Sequence, residues 1–347
     1  MKMHSLKVLQ VETLTPLSKK ITFHIPQEIQ NNFKFISGQY VSLDLMIDGH
    51  AVKRSYSICS DSQHMGSISV GVKQIENGYV SVFLNQNISS GQTISVSEPD
   101  GNFIIDSNQK NHVFVAGGSG ITPFMSMLYA LLPDPNTNIY LKYSTLSQVE
   151  TMFYEELQAL NEKYSNFHLD LIYTNGENLL NEVNLASWIE SLNLKNFGVY
   201  VCGPNGIIKA TELACSAMGL NTDNFHREYF TAKSAEDMES ASVGNTGQDD
   251  LLQPGEVATV EMKSEGKKIT FNCKYNETVL DAALNAGGDP PYSCLVAACS
   301  TCRAMVKSGS VEMRDRDALS DKEIAKGFVL TCQAMPRSKN IVLDYDE

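Results

Sequence analysis

Basic residues are scarce in this sequence, and so are long apolar runs. Lysine and arginine number 27 against 40 acids, a formal charge of −13. That balance repels phosphate backbones and anionic headgroups, and argues against nucleic acid or a membrane surface as partner. No stretch approaches the ~18 apolar residues that a membrane-spanning helix needs. The opening residues, Met1-Lys2-Met3-His4-Ser5-Leu6, lead into alternating polar and apolar positions rather than the apolar core of a secretory signal. These absences predict a cytoplasmic protein. Internal repeats are lacking too.

The eight cysteines could be read as a disulfide framework. In a chain of 347 residues with no export signal, half of them in one spaced group, they point to metal instead. The length suggests two or three domains, at roughly 100 to 200 residues each.

The pattern changes along the chain. From Ser5 to Ile105, short alternating runs such as Tyr40-Val41-Ser42-Leu43 and Thr93-Ile94-Ser95-Val96 predict an antiparallel barrel, assigned to residues 1–106. Residues 107–232 alternate apolar strands, at Val113–Ala116, Ile139–Leu141, Leu169–Ile172 and Val199–Val201, with helices. The helices are expected at Pro123–Leu132, Thr151–Lys163, Leu185–Leu192 and Ile207–Met218, which makes a doubly wound parallel sheet. Residues 233–256 are rich in Ser, Gly, Glu and Asp and predict an acidic flexible linker, of roughly 25 to 30 Å mean span. The rest, 257–347, offers two strands joined near Glu265-Gly266, a helix at Val279–Ala286, a Cys-rich loop and a closing strand at Ile341–Leu343.

In that last segment the cysteines fall as Cys294-x4-Cys299-x2-Cys302, with Cys332 twenty-nine residues further on. This is the plant-type spacing in which four thiolates hold the two irons of a [2Fe–2S] cluster. A tetrahedral zinc site is the alternative, but zinc motifs usually present two close pairs. The loop after Cys294 reads Leu295-Val296-Ala297-Ala298, where ferredoxins of this type usually carry glycine. Cys59, Cys215 and Cys273 lie in apolar contexts and read as buried side chains.

Two further motif sets precede it. Arg54-Ser55-Tyr56-Ser57 ends a barrel strand, where a guanidinium suits a pyrophosphate and an aromatic ring suits stacking on an isoalloxazine. It is followed by Val70-Gly71-Val72-Lys73 and by Gly78-Tyr79-Val80-Ser81, whose helix start favours an anion. After the first parallel strand comes Gly117-Gly118-Ser119-Gly120-Ile121-Thr122-Pro123, in which glycines admit a pyrophosphate, Thr122 can cap and Pro123 fits the first helical turn. The last strand ends in Cys202-Gly203-Pro204, and Glu228-Tyr229-Phe230 closes the domain.

In this order the motifs resemble the ferredoxin–NADP reductase superfamily, in its branch with a C-terminal β-grasp ferredoxin domain. Pro291–Cys294, Cys299–Ala304 and Gly327–Gln333 are similar to the reductase subunits of phenylacetyl-CoA oxygenases. The resemblance implies a flavin, FAD rather than FMN, held by Arg54, Tyr56, Ser57, Val72, Lys73, Gly78, Val80 and Ser81. It implies NADH or NADPH held by Gly117, Gly118, Ser119, Gly120, Thr122, Cys202, Gly203 and Pro204, with Glu228 and Phe230 near the flavin. Tyr56, Ser57 and Cys202 then serve hydride transfer, and an oxygenase or another metalloenzyme takes the electrons. A reductase for a hybrid-cluster protein, or a non-enzymatic ferredoxin-type carrier, are the rival readings. Relatives that prefer NADPH often carry arginine after the second parallel strand, where this chain has Leu146; Lys142 or another base could serve in its place.

Overall fold

Alternation of apolar and polar residues builds the first sheet. Its strands are β1 (Met3–Thr15), β2 (Ser18–His24), β3 (Tyr40–Ile47), β4 (His50–Ser57), β5 (Ser67–Lys73) and β6 (Thr93–Ser97), with helix α1 (Tyr79–Asn87) between the last two. They pair in the order β4-β3-β6-β1-β2-β5, and a bridge from Ile58 to Val70 closes the barrel. Leu6 and Val8, Ile21 and Phe23, and Ile94 and Val96 point inward two residues apart and are buried. Each such side chain contributes about 1.5–3 kcal/mol.

In this computed structural model the described residues are 2–76, 78–175, 179–230, 240–245, 247, 250–264, 266–292, 294–297, 299–316 and 318–347, with backbone only at 50, 51 and 245.

The second sheet contains β7 (Asn111–Gly117), β8 (Asn138–Thr145), β9 (Phe167–Tyr173), β10 (Phe197–Gly203) and β11 (Phe225–Tyr229). All are parallel, in the order β11-β10-β7-β8-β9. Helices α2 (Ile121–Leu131), α3 (Tyr154–Lys163), α4 (Glu182–Ser191) and α5 (Asn205–Ala217) alternate with them. Successive strand residues serve opposite faces: Phe114 stacks on Phe124 of α2 at 4.7 Å, while Val113 packs with Ile189 and Cys215 of α4 and α5. Chain order reverses at β7, so the crevice beyond the carboxyl ends of β7 and β10 is the place where this fold class binds ligands.

The helix expected from Thr151 begins only at Tyr154. Phe153 takes a left-handed φ of 60°, which turns its ring into the core and delays the helix.

Barrel and parallel sheet form one compact unit, Met1–Phe230. Gly38 is one reason: its N–H donates to Ser126 Oγ of α2 at 3.0 Å, its φ is +101°, and a Cβ there would overlap the Phe103 carbonyl. Gly71 is another, because a Cβ would lie 2.6 Å from Thr122 Cγ2.

His112 opens β7 and is 1% exposed, near Tyr200; among the described residues its Nδ1 has no hydrogen-bond partner. Burial lowers its pKa from 6.5 to about 4, against the opposing charge of Asp106. Below pH 6.5 the unfolded chain therefore binds a proton that the native one refuses. The stability present above that pH is lost as pH falls towards 4, by about 3 kcal/mol in all. His112→Leu is expected to flatten the acid limb of Tm against pH between those values; an unchanged limb would dismiss the assignment.

The second unit spans Thr231–Glu347. Its strands are β12 (Ala241–Asn245), β13 (Val257–Ser264), β14 (Lys267–Lys274), β15 (Arg303–Met313), β16 (Phe328–Leu330), β17 (Ala334–Pro336) and β18 (Asn340–Asp344); its helices are α6 (Val279–Asn285) and α7 (Asp321–Ala325). The main path is β12-β15-β18-β13-β14, with β16 and β17 also on β15. β13 runs antiparallel to β14 and parallel to β18, the mixed β-grasp sheet, and α6 packs against it. Thr278 caps α6 by accepting the Asp281 N–H at 3.1 Å.

The acidic linker needs correction. Residues 231–239, 246, 248 and 249 lie outside the described residues, as does Glu265 at the predicted turn, but Ala241–Asn245 is a strand registered against Met313–Gly309. Val243 is buried there, so one apolar side chain and a full ladder fix a segment whose composition reads as disordered.

Candidate redox sites

In the barrel, β4 places Arg54 and Tyr56 two residues apart, with Ser57 next in the chain and 3% exposed. Burial raises the Tyr56 phenol well above its usual range despite Arg54 nearby, so it stays protonated. Val72 is buried at the end of β5, and Lys73 pairs with Glu150 at 3.2 Å. Gly78 stands at the N-cap of α1, whose first N–H groups, those of Val80 and Ser81 among them, lack intrahelical acceptors. The Ser81 hydroxyl holds that turn, accepting from Ile75 N–H at 3.2 Å and donating to Gly78 O at 3.3 Å.

One carboxylate joins the end of barrel strand β4 to the ends of β10 and β11. Glu228 of β11 lies beside Cys202 of β10 in register, and its Oε2 accepts from Ser57 Oγ at 3.3 Å and faces Cys202 Sγ at 3.9 Å. Burial, and then Glu228, push the Cys202 thiol far up and keep it neutral. Ser57, Cys202 and Glu228 thus come together from positions far apart in the chain. Phe230 follows, 37% exposed.

The glycine turn between β7 and α2 is built by close backbone approach. A Cβ on Gly120 would overlap the Cys202 carbonyl, and one on Gly203, at φ +154°, would lie 2.9 Å from Gly117 Cα. Gly118, at φ +52°, has nothing within 4 Å of its missing Cβ. Its carbonyl accepts from the buried Tyr143 hydroxyl at 2.9 Å, a support that no motif announces. Thr122 does not cap: Gly120 occupies the N-cap of α2, and the Thr122 hydroxyl donates to Ser119 O at 3.0 Å. Its methyl faces Gly71, so domain packing claims this side chain.

In the second unit the thiols come two and two. Cys294 N–H donates to Cys299 Sγ at 3.4 Å, and the hydrogen bond between these thiols raises Cys294 and lowers Cys299 to about 6. Cys302 and Cys332 form the other pair, with Cys332 lowered by its bond from Cys302. Two pairs of sulfurs suit two irons, whereas one zinc would gather all four at one centre.

The loop lacks glycine yet keeps glycine-like backbone. Leu295, Ala297 and Ser300 have φ of 64°, 61° and 54°; Ser293 and Ala298 lie outside the described residues. Each costs about 1–2 kcal/mol, held by bonds from Gln333 Nε2 to Leu295 O at 3.0 Å and Ala318 N to Ala297 O at 2.8 Å. Thr331 ties the neighbouring Cys332 to the loop by donating to Cys302 O at 3.0 Å. Gln333, Thr331 and Tyr143 escape sequence reasoning because their side chains act on distant backbone. Cys59, Cys215 and Cys273 are buried, with thiols pushed up to about 12 chiefly by that burial.

A flavin barrel, a switch-point crevice and a four-thiol β-grasp loop define a flavin- and nicotinamide-dependent iron–sulfur oxidoreductase. Residues 5–105 match the oxidoreductase FAD-binding domain family, 114–213 the oxidoreductase NAD-binding domain family, and 262–337 the 2Fe-2S iron-sulfur cluster binding domain family. The 1,2-phenylacetyl-CoA epoxidase of Escherichia coli (strain K12) has a component that is 32% identical, over 99% of this chain and 98% of its own. The ferredoxin reductase component of the 3-ketosteroid-9-alpha-monooxygenase of Rhodococcus rhodochrous is 28% identical, over 98% and 96%. Phthalate dioxygenase reductase shares the fold, with a TM-score of 0.66 at 24% identity over 99% of this chain and 98% of that one. The chain belongs to the ferredoxin–NADP reductase superfamily members that carry a C-terminal [2Fe–2S] domain, and it is an NAD(P)H-dependent oxidoreductase with FAD and a [2Fe–2S] cluster.

Proposed function

We propose that this chain is the reductase component of an oxygenase, taking electrons from NADH or NADPH and delivering them singly to an oxygenase partner of the phenylacetyl-CoA epoxidase type. The observation that carries this is the near end-to-end match to the epoxidase component of Escherichia coli, with the three cofactor domains in one chain here. A flavin held in the barrel would supply the exchange between the paired electrons of a hydride and the single electrons that a [2Fe–2S] cluster takes.

The residues divide the work. Arg54, Val72, Lys73, Gly78, Val80 and Ser81 hold the flavin phosphates and chain, and Tyr56 supports the ring. Ser57, whose hydroxyl is aimed by Glu228, stands at the reacting edge, with Phe230 closing it. Gly117, Gly118, Ser119 and Gly120 take the dinucleotide phosphates; Cys202, Gly203 and Pro204 line the nicotinamide. Thr122 supports that turn from behind. Cys294, Cys299, Cys302 and Cys332 hold the irons, and we take 1–106, 107–232 and 257–347 as the functional modules.

None of the helices among the described residues is long and apolar enough to cross a membrane. A cytoplasmic location suits free thiols kept reduced for metal. Mixing the purified reductase with the oxygenase part of a phenylacetyl-CoA epoxidase, phenylacetyl-CoA and NAD(P)H should give epoxide in proportion to reductase. Cluster reduction without epoxide would redirect the search to another metalloenzyme acceptor.

A further inference from the structure

We infer that the reductase selects NADH over NADPH, through the loop that follows β8. The inference rests on the reading of the β7–α2 turn as the dinucleotide phosphate site. In a doubly wound sheet the adenosine ribose of a dinucleotide lies past the end of the neighbouring second strand, and an NADP site places a cation there for the 2′-phosphate. Here that strand is β8, which runs parallel to β7 in register, Gly117 opposite Ser144. Residues Ser144 to Glu156 contain no lysine or arginine and three glutamates, Glu150, Glu155 and Glu156.

The nearby cations are already committed. Lys142 is 7% exposed, ion-paired with Asp170 and seated over the Trp188 ring at 4.5 Å, on the α4 side of the sheet. It is the substitute cation that the sequence names first, and its burial removes it from that role. Lys73 pairs with Glu150 at 3.2 Å, and Lys20 lies 3.8 Å from Glu156. Lys209 belongs to α5, after β10, on the other side of the switch point.

The loop hydroxyls are turned inward. Thr145 Oγ1 and Thr151 Oγ1 bond each other at 2.9 Å, and both also reach Ser147 O. What the loop presents outward is Leu146, 52% exposed, Val149, 68% exposed, and the uncharged Gln148. A 2′-phosphate, with about −1.5 to −2 charges at neutral pH, would displace its water for a rim that offers no cation and stands next to Glu150. A 2′-hydroxyl carries no such cost.

The test is kcat/KM of the full-length holoenzyme with ferricyanide as acceptor, for each nucleotide. NADH is expected to exceed NADPH by about tenfold to a hundredfold, expressed mainly in KM. Leu146→Arg, at an exposed position, should raise kcat/KM for NADPH by about tenfold and shift the NADPH-to-NADH ratio with it. A second readout is inhibition by 2′,5′-ADP, which should be weak in the wild type and strengthen in the variant. Wild-type preference for NADPH, or an unchanged ratio in the variant, overturns the inference. Failure of both nucleotides to reduce the flavin would overturn the functional reading itself.

Discussion

Replacing Cys299 by Ser should abolish the visible and electron-spin signature of the cluster while NAD(P)H oxidation by ferricyanide stays near the wild-type rate. Cys299 is the middle thiol of the Cys294-x4-Cys299-x2-Cys302 run, and its Sγ accepts from the Cys294 N–H at 3.4 Å. An alcohol at that position stays protonated at neutral pH and supplies no comparable ligand. The barrel and parallel sheet have their own cores, separate from that of the second unit. A cluster-free chain should therefore still oxidise the nucleotide. Simultaneous loss of both signals, with flavin released, would show a folding dependence between the units and undo this division.

The second large effect is expected at Gly120. Its missing Cβ points at the Cys202 carbonyl and the Gly203 nitrogen, both of them backbone and neither able to rotate away. Alanine there must part the ends of β7 and β10, the two strands that frame the switch-point crevice. Overpacking of this kind costs about 1–3 kcal/mol of stability, and a misplacement of about 1 Å at a reaction site lowers rate on the order of a hundredfold. Gly120→Ala should thus reduce kcat/KM for the nicotinamide by about that factor while flavin absorbance and cluster content remain. Gly66→Ala, where nothing lies within 4 Å, is the control and should behave as wild type. Equal kinetics in the two variants would remove the crevice from the mechanism.

Legibility in the sequence followed how local each feature is. The cysteine spacing, the Arg-x-Tyr-Ser strand end, the glycine turn and the Cys-Gly-Pro strand end are contiguous motifs whose chemistry depends on near neighbours. The alternations of period two and of strand with helix are similarly local, and the fold class followed from them. Features that depend on distant partners were not readable. Gly71 looks like part of a flavin motif, yet the space at its α-carbon is fixed by Thr122, Met152 and Phe153. Thr122 looks like a helix cap, but Gly120 holds that position. The strand Ala241–Asn245 has the composition of a linker and is ordered by its partner β15.

The cluster loop is the sharpest case. Glycine is the residue that composition rules demand at left-handed positions, and its absence from Leu295–Ala297 suggests an altered loop. The backbone is left-handed there all the same, because Gln333 and Ala318 bond the carbonyls on either side of the bend. Strain of this kind is stored where the surroundings over-determine it. Nothing in the local sequence records the restraint.

The measurement that bears most directly on the whole account is anaerobic stopped-flow mixing of the holoenzyme with excess NADH, followed at flavin and cluster wavelengths. The account predicts that flavin absorbance falls first and the cluster bleaches afterwards, at a rate that does not change with protein concentration. A fully reduced flavin beside a cluster that stays oxidised would contradict it.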